Sequence, residues 1–117
     1  MLGSSASISG SNTVINTAVA EVLKQFADEL ENATDFEKAL HALIKRVITE
    51  HKRIIFNGNG YDDAWIQEAE KRGLANLVST VDALPMYASP KSVDLFVKHG
   101  IYTKEEMVAR SEIHIEN

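Results

Sequence analysis

The stretch His51-Lys-Arg-Ile-Ile-Phe-Asn-Gly-Asn-Gly-Tyr61 decides the fold, because a long helical pattern stops in it at a doubled Asn-Gly. Asn and Gly tolerate the positive φ values that end helices, so residues 57–60 force the chain to turn. Ile54-Ile55-Phe56 either continues the preceding helix or forms a brief extended piece. Asp62 and Asp63 favour a new helix start, since carboxylates suit a helix N-terminus. The new helix runs through Trp65, Ile66 and Ala69 and is stopped by Gly73, with Glu68 and Arg72 four apart and able to pair on its exposed side.

Upstream, two apolar stripes recur at three- and four-residue steps. The first contains Ile15, Val19, Val22, Leu23, Phe26 and Leu30, predicting a helix capped by Ser11 or Asn12 and ending near Glu31. The second contains Phe36, Leu40, Leu43, Ile44, Val47 and Ile48, with Thr34 as the expected cap and Glu37 completing a capping box. Only Asn32-Ala33-Thr34 separates them, and so short a connection predicts an antiparallel hairpin buried along facing stripes. Lys45, Arg46, Lys52 and Arg53 gather at its C-terminal end, where the helix dipole favours cations.

Downstream, Ser79 or Thr80 can cap a short turn over 81–84 that Pro85 limits. Ser89-Pro90 opens the next helix and Gly100 closes it, with Val93, Phe96 and Val97 on its apolar side. Thr103 and Glu106 form another capping box for a last helix through Met107, Val108, Ile113 and Ile115. That pattern still runs at Asn117, which predicts a cut chain. Residues 1–11, rich in Ser and Gly, read as a flexible lead-in to a helical domain over 12–117. No strand pattern of convincing length intervenes, and an all-α helical bundle is expected, built on the long hairpin with shorter C-terminal helices packed against it.

The 117 residues suit a single domain, and 44% hydrophobic with 25% charged residues is ordinary for a folded chain. A net charge of −5, with acids and bases interleaved, offers no footprint for nucleic acid or an anionic membrane. The absence of cysteine excludes a disulfide framework and a thiolate nucleophile. No apolar run reaches the roughly 18–20 residues of a membrane span, and no signal peptide is present, so cytoplasmic residence is expected.

Chemistry is sparse. The Asn57 to Asp63 loop could offer amides to a phosphate, although its two aspartates oppose an anion and a helix stop followed by a helix start explains it as well. A calcium loop can be traced with oxygens at Asn57, Asn59 and Tyr61 and a carboxylate at Glu68, but Asp62 stands where glycine is needed. His41, His51, His99 and His114 lack the short spacing that places two metal ligands on one helix face. His99, just before Gly100, suits a helix C-terminus when protonated. Trp65 with Tyr61 could form a ligand platform, with packing against a neighbouring helix the commoner role. Ser4, Ser5 and Ser7 have no identifiable base, and a hydroxyl without one is a poor nucleophile. No catalytic, cofactor-binding or metal residues are therefore assigned.

Several stretches together resemble the C-terminal part of a type III glutamine synthetase: Gly3-Ser-Ser-Ala-Ser-Ile-Ser-Gly10, Asn12-Thr-Val-Ile-Asn-Thr-Ala-Val-Ala-Glu21, His51 to Gly60, Glu68-Ala-Glu-Lys-Arg-Gly-Leu74, Ser79-Thr-Val-Asp-Ala-Leu-Pro85 and Leu95-Phe-Val-Lys-His-Gly100. Ser11 stands where the family pattern carries Pro, and Ser111 where it carries Tyr. The resemblance implies a much longer parent that makes glutamine from glutamate, ammonia and ATP with a divalent metal such as Mg, and that assembles into a homo-oligomer. It also implies that the metal and nucleotide residues lie upstream, a Glu-x-Arg element immediately before Met1. Gly3 to Ile8 would then be the strand leaving the catalytic domain. The chain alone is expected to be structural or assembly-related and inactive; a free-standing helical interaction module is the other reading.

Overall fold

The computed structural model describes residues 7–116, with side chains as far as Ile113. Ser7 sets the first element. Its backbone is extended and its hydroxyl accepts from the Ser9 amide at 3.2 Å, which caps helix α1 (Ile8–Glu31). The start lies one turn ahead of the expected cap at Ser11 or Asn12. Ser9, Gly10 and Ser11 are weak helix formers, but Gly10 lies beside the Tyr87 ring, where an added Cβ would come within 3.8 Å of its hydroxyl. Tertiary packing here overrides local propensity. The expected strand over Gly3 to Ile8 falls mostly outside the described residues; Ser7 is the cap and Ile8 is helical.

Helix α2 (Phe36–His51) is capped by Asp35, not Thr34: the Asp35 carboxylate accepts from the Lys38 amide at 3.2 Å. A carboxylate satisfies the free amide and also faces the positive end of the helix dipole, an advantage that a hydroxyl lacks. A 3₁₀ segment, Lys52–Ile54, follows, and Ile55 is extended. Helix α3 (Asp63–Lys71) ends at Gly73, whose φ of +66° is the left-handed conformation expected of a helix stop. Ser79 caps the short helix α4 (Thr80–Ala83), which passes directly into a 3₁₀ segment, Leu84–Ala88. Pro85 sits in the first turn of that segment, where its missing amide costs nothing. Helix α5 (Pro90–Lys98) has the expected Ser89 cap and Gly100 stop, and α6 (Lys104–Glu116) has the expected Thr103–Glu106 capping box. The fold is all-α, without strands among the described residues.

The principal core lies in the C-terminal half. Val93 and Phe96 of α5 and Met107 of α6 form its centre, and Tyr87 and Tyr102 pack around them. The Phe96 ring lies 5.6 Å from Tyr102 and 6.5 Å from Tyr87, centroid to centroid. Leu84 and Ser111 are also buried, and the Ser111 hydroxyl donates to the Leu84 carbonyl at 3.2 Å. Val97, expected on the same apolar side, is 48% exposed.

Near their junction α1 and α2 do meet. The Arg46 guanidinium grips both Glu29 oxygens at 2.7 and 2.6 Å, and Leu43 is buried there. The facing stripes are not buried along their length, however. Ile15, Val19, Val22 and Leu23 of α1 and Phe36, Ile44 and Ile48 of α2 remain exposed. The accessible surface is 9357 Å² and the radius of gyration 17.5 Å. A close-packed protein of this mass would expose about 6,300 Å² at a radius of about 13 Å. The helices are fully formed, but much apolar surface of the described residues is exposed.

Candidate functional site

The joint between α2 and α3 is held by two arginines that exchange hydrogen bonds. Arg72 donates from Nη1 to the Arg53 and Ile55 carbonyls at 3.1 and 2.7 Å, while Arg53 donates to the Arg72 carbonyl at 3.2 Å. Glu68, four residues back, accepts from Arg72 Nε and fixes the guanidinium in place. The pair lies half-buried, not on an exposed side, because the planar fork of Arg72 holds Glu68 at Nε while Nη1 reaches two carbonyls across the turn. The Glu68 carboxyl is held below the usual carboxylate range, chiefly by this hydrogen bond.

This arrangement removes the calcium reading. Glu68 faces Arg72, Asn59 is engaged with Asp62 and the Tyr61 amide at 2.7 and 3.1 Å, and Tyr61 is 98% exposed. Among the described residues no three His, Asp or Glu groups meet at a point where a metal could sit. The phosphate reading fares no better, since the Asn59 contact fixes the Asp62 carboxylate at the start of α3. Trp65 takes the packing role. It meets Phe56 at 4.6 Å between centroids, not Tyr61.

A second node escapes sequence reasoning altogether. Glu21, midway along α1, accepts from Lys98 Nζ at 2.7 Å and contacts His99 Nε2 at 2.6 Å, with Gln25 on its own helix also donating at 3.0 Å. These donors, Lys98 first and then His99 and Gln25, hold the Glu21 carboxyl down to about 2. His99 is thus the C-cap of α5 and a link to α1 at once. Lys98-His99-Gly100 was legible as a helix end, but nothing local to it indicates a carboxylate 78 positions away. His41 is exposed, His51 lies 3.9 Å from its neighbour Glu50, and the side chain of His114 falls outside the described residues.

Helix α1 has two faces of opposite use. Gly10, Thr13, Thr17 and Glu21, at helical spacing, turn toward the C-terminal core, and Thr17 is buried. Polar residues can face inward here because their hydroxyls are satisfied within the helix. Thr13 donates to the Ser9 carbonyl at 2.9 Å and Thr17 to the Thr13 carbonyl at 2.7 Å. Ile15, Val19, Val22 and Leu23 lie on the other side and form an open apolar stripe. At the N-terminal end of α1 a pocket of about 480 Å³ is lined by Ser7, Ser9, Tyr87, Tyr102 and Arg110, with Arg110 stacked 4.4 Å over the Tyr102 ring. Ser7 is occupied as a cap, and Ser4 and Ser5 lie outside the described residues. No helix among the described residues is long and apolar enough to cross a membrane.

The sequence profile of a family described as glutamine synthetase C-terminal domain matches residues 39–117, two thirds of the chain. The chain belongs to that family. The matched segment begins within α2 and includes the arginine joint and the C-terminal core. Relatives extend the similarity to α1: a type-3 glutamine synthetase of Dictyostelium discoideum is 36% identical over 98% of this chain, and a glutamine synthetase of Bacteroides fragilis (strain YCH46) is 32% identical over 97%. A glutamine synthetase of Butyrivibrio fibrisolvens is 47% identical over 71% of the chain. The chain spans only 12–16% of the length of these relatives. No solved structure matches. The described residues of this glutamine synthetase C-terminal domain hold no set of three His, Asp or Glu groups suited to a divalent metal.

Proposed function

We propose that this domain is a structural and assembly element of a longer glutamate-ammonia ligase and makes no glutamine by itself. The observation that carries the reading is the open stripe of α1, Ile15, Val19, Val22 and Leu23, on the side turned away from the core. Burial of one such residue contributes about 1.5–3 kcal/mol. A helix that keeps four of them in water while turning threonines inward is suited to a second apolar surface. In this proposal the surface belongs to the rest of the parent polypeptide or to another subunit of a cytoplasmic homo-oligomer, and ATP, Mg and the phosphoryl chemistry belong to the upstream part.

Two measurements test it. The purified chain, given ATP, Mg, glutamate and ammonia, is expected to yield no glutamine above a blank, and glutamine formation would refute the inactivity. Val19→Glu with Val22→Glu should leave the fold of the isolated chain intact, because both residues are exposed. The same pair in a complete type-3 synthetase should lower its assembled mass in light scattering; unchanged assembly and activity would refute the assembly role.

A further inference from the structure

The two Asn-Gly pairs of the joint differ in their chemical environment, and we infer that Asn57 is a site of spontaneous deamidation and isoaspartate formation from which Asn59 is protected. Glycine leaves the following backbone nitrogen uncrowded, and an exposed loop lets the asparagine amide swing back onto it. Asn57 is exposed, and neither its side-chain amide nor the Gly58 nitrogen has a hydrogen-bond partner among the described residues. Asn59 precedes a more open glycine, since nothing lies within 4 Å of a Cβ built on Gly60. Its amide is nevertheless engaged at both ends, with Nδ2 donating to Asp62 at 2.7 Å and Oδ1 accepting from the Tyr61 amide at 3.1 Å.

In the reaction the Gly58 nitrogen bonds to Asn57 Cγ, the Cγ–Nδ2 bond breaks, and ammonia departs with the proton lost by the Gly58 amide. A five-membered succinimide remains. One water then opens it. Cleavage of the new Cγ–N bond leaves an ordinary aspartyl residue, whereas cleavage of the original peptide bond to the Gly58 nitrogen leaves an isoaspartyl residue, with one extra methylene in the backbone. The net change is one water consumed and one ammonia released, with no redox partner.

The added methylene would lengthen the backbone immediately before Gly58, a residue closely approached by a neighbouring ring. A Cβ on Gly58 would lie 2.7 Å from the Phe56 ring, and that ring packs on Trp65, the single tryptophan of the protein. Isoaspartate at position 57 should therefore part Phe56 from Trp65, while an ordinary aspartyl product should not.

The experiment incubates the folded 117-residue protein in warm, mildly alkaline buffer and follows both asparagines by peptide mass mapping, with Trp65 emission read in parallel. Opening the two hydrogen bonds of Asn59 before cyclisation corresponds to about a tenfold slower reaction. Asn57 is thus expected to convert about ten times faster than Asn59 in the folded protein, and the two rates should converge in denaturant. Asp62→Ala should raise the Asn59 rate toward that of Asn57. Equal rates in the folded protein, or faster conversion of Asn59, would overturn the inference. So would an unchanged Asn59 rate in Asp62→Ala.

Discussion

Glu21 Oε2 lies 2.6 Å from His99 Nε2, and this contact, with Lys98 on the other carboxylate oxygen, ties the middle of α1 to the end of α5. The face of α1 around it is built of threonine and glycine, so little apolar burial supports the attachment. Glu21→Ala is expected to lower the Tm by a few degrees and to speed hydrogen exchange in α1 more than in α5 or α6. Equal exchange in all three helices would show that the tie is dispensable.

Acid should weaken the same contacts. The Glu21 carboxyl is held at about 2, against 4.5 for an ordinary glutamate, and Glu29 and Glu68 are lowered by Arg46 and Arg72. Folded-state values below the unfolded ones mean that the unfolded state binds these protons first. The stability they contribute is present above about pH 4.5 and is lost as the pH falls below it, for Glu21 down to about 2. Urea midpoints should therefore be level above that window and drop steeply within it. Glu21→Gln should flatten part of the slope.

Met107 is fully buried between α5 and α6. Met107→Ala should cost about 2–5 kcal/mol in denaturant unfolding. Val97→Ala, on the same helix as Phe96 but exposed, should stay within about 0.5 kcal/mol. Comparable losses at both positions would place the core elsewhere.

Arg72→Lys keeps the charge and loses the fork. One ammonium cannot reach the Arg53 and Ile55 carbonyls and Glu68 together, so a loss of about 1–2 kcal/mol is expected. Trp65 emission should shift to the red as the joint loosens. An unchanged midpoint would mean that the Phe56 and Trp65 rings hold the turn unaided.

Much of this architecture was legible in the residues. Ser89-Pro90, Gly73, Gly100 and the Thr103–Glu106 box each carry a local physical signal, and each marks a boundary where expected. The cap at Ser7 was not expected, because Ser9, Gly10 and Ser11 are weak helix formers and the neighbour of Gly10, Tyr87, lies far along the sequence. The stripe of α1 was visible as a stripe, but periodicity shows only that a face is apolar, not that this molecule covers it. The pairing of Glu68 with Arg72 followed from spacing; the reach of Arg72 to Arg53 and Ile55 did not, since it depends on the path of the turn. Glu21 with His99 left no trace at all, being a long-range pair of common residues.

The position of Glu21 in the sequence also bears on the order of folding. Helices α4 to α6 need only short loops to find one another, and such local assemblies close in microseconds to milliseconds. Joining Glu21 to Lys98 closes a segment of 77 positions, with threonine rather than leucine at the contact to reward the closure. Attachment of α1 is therefore expected to be the last step in folding and the first to reverse on warming. A pulse of hydrogen exchange during refolding should find the amides of α5 and α6 protected while those around Thr17 still exchange.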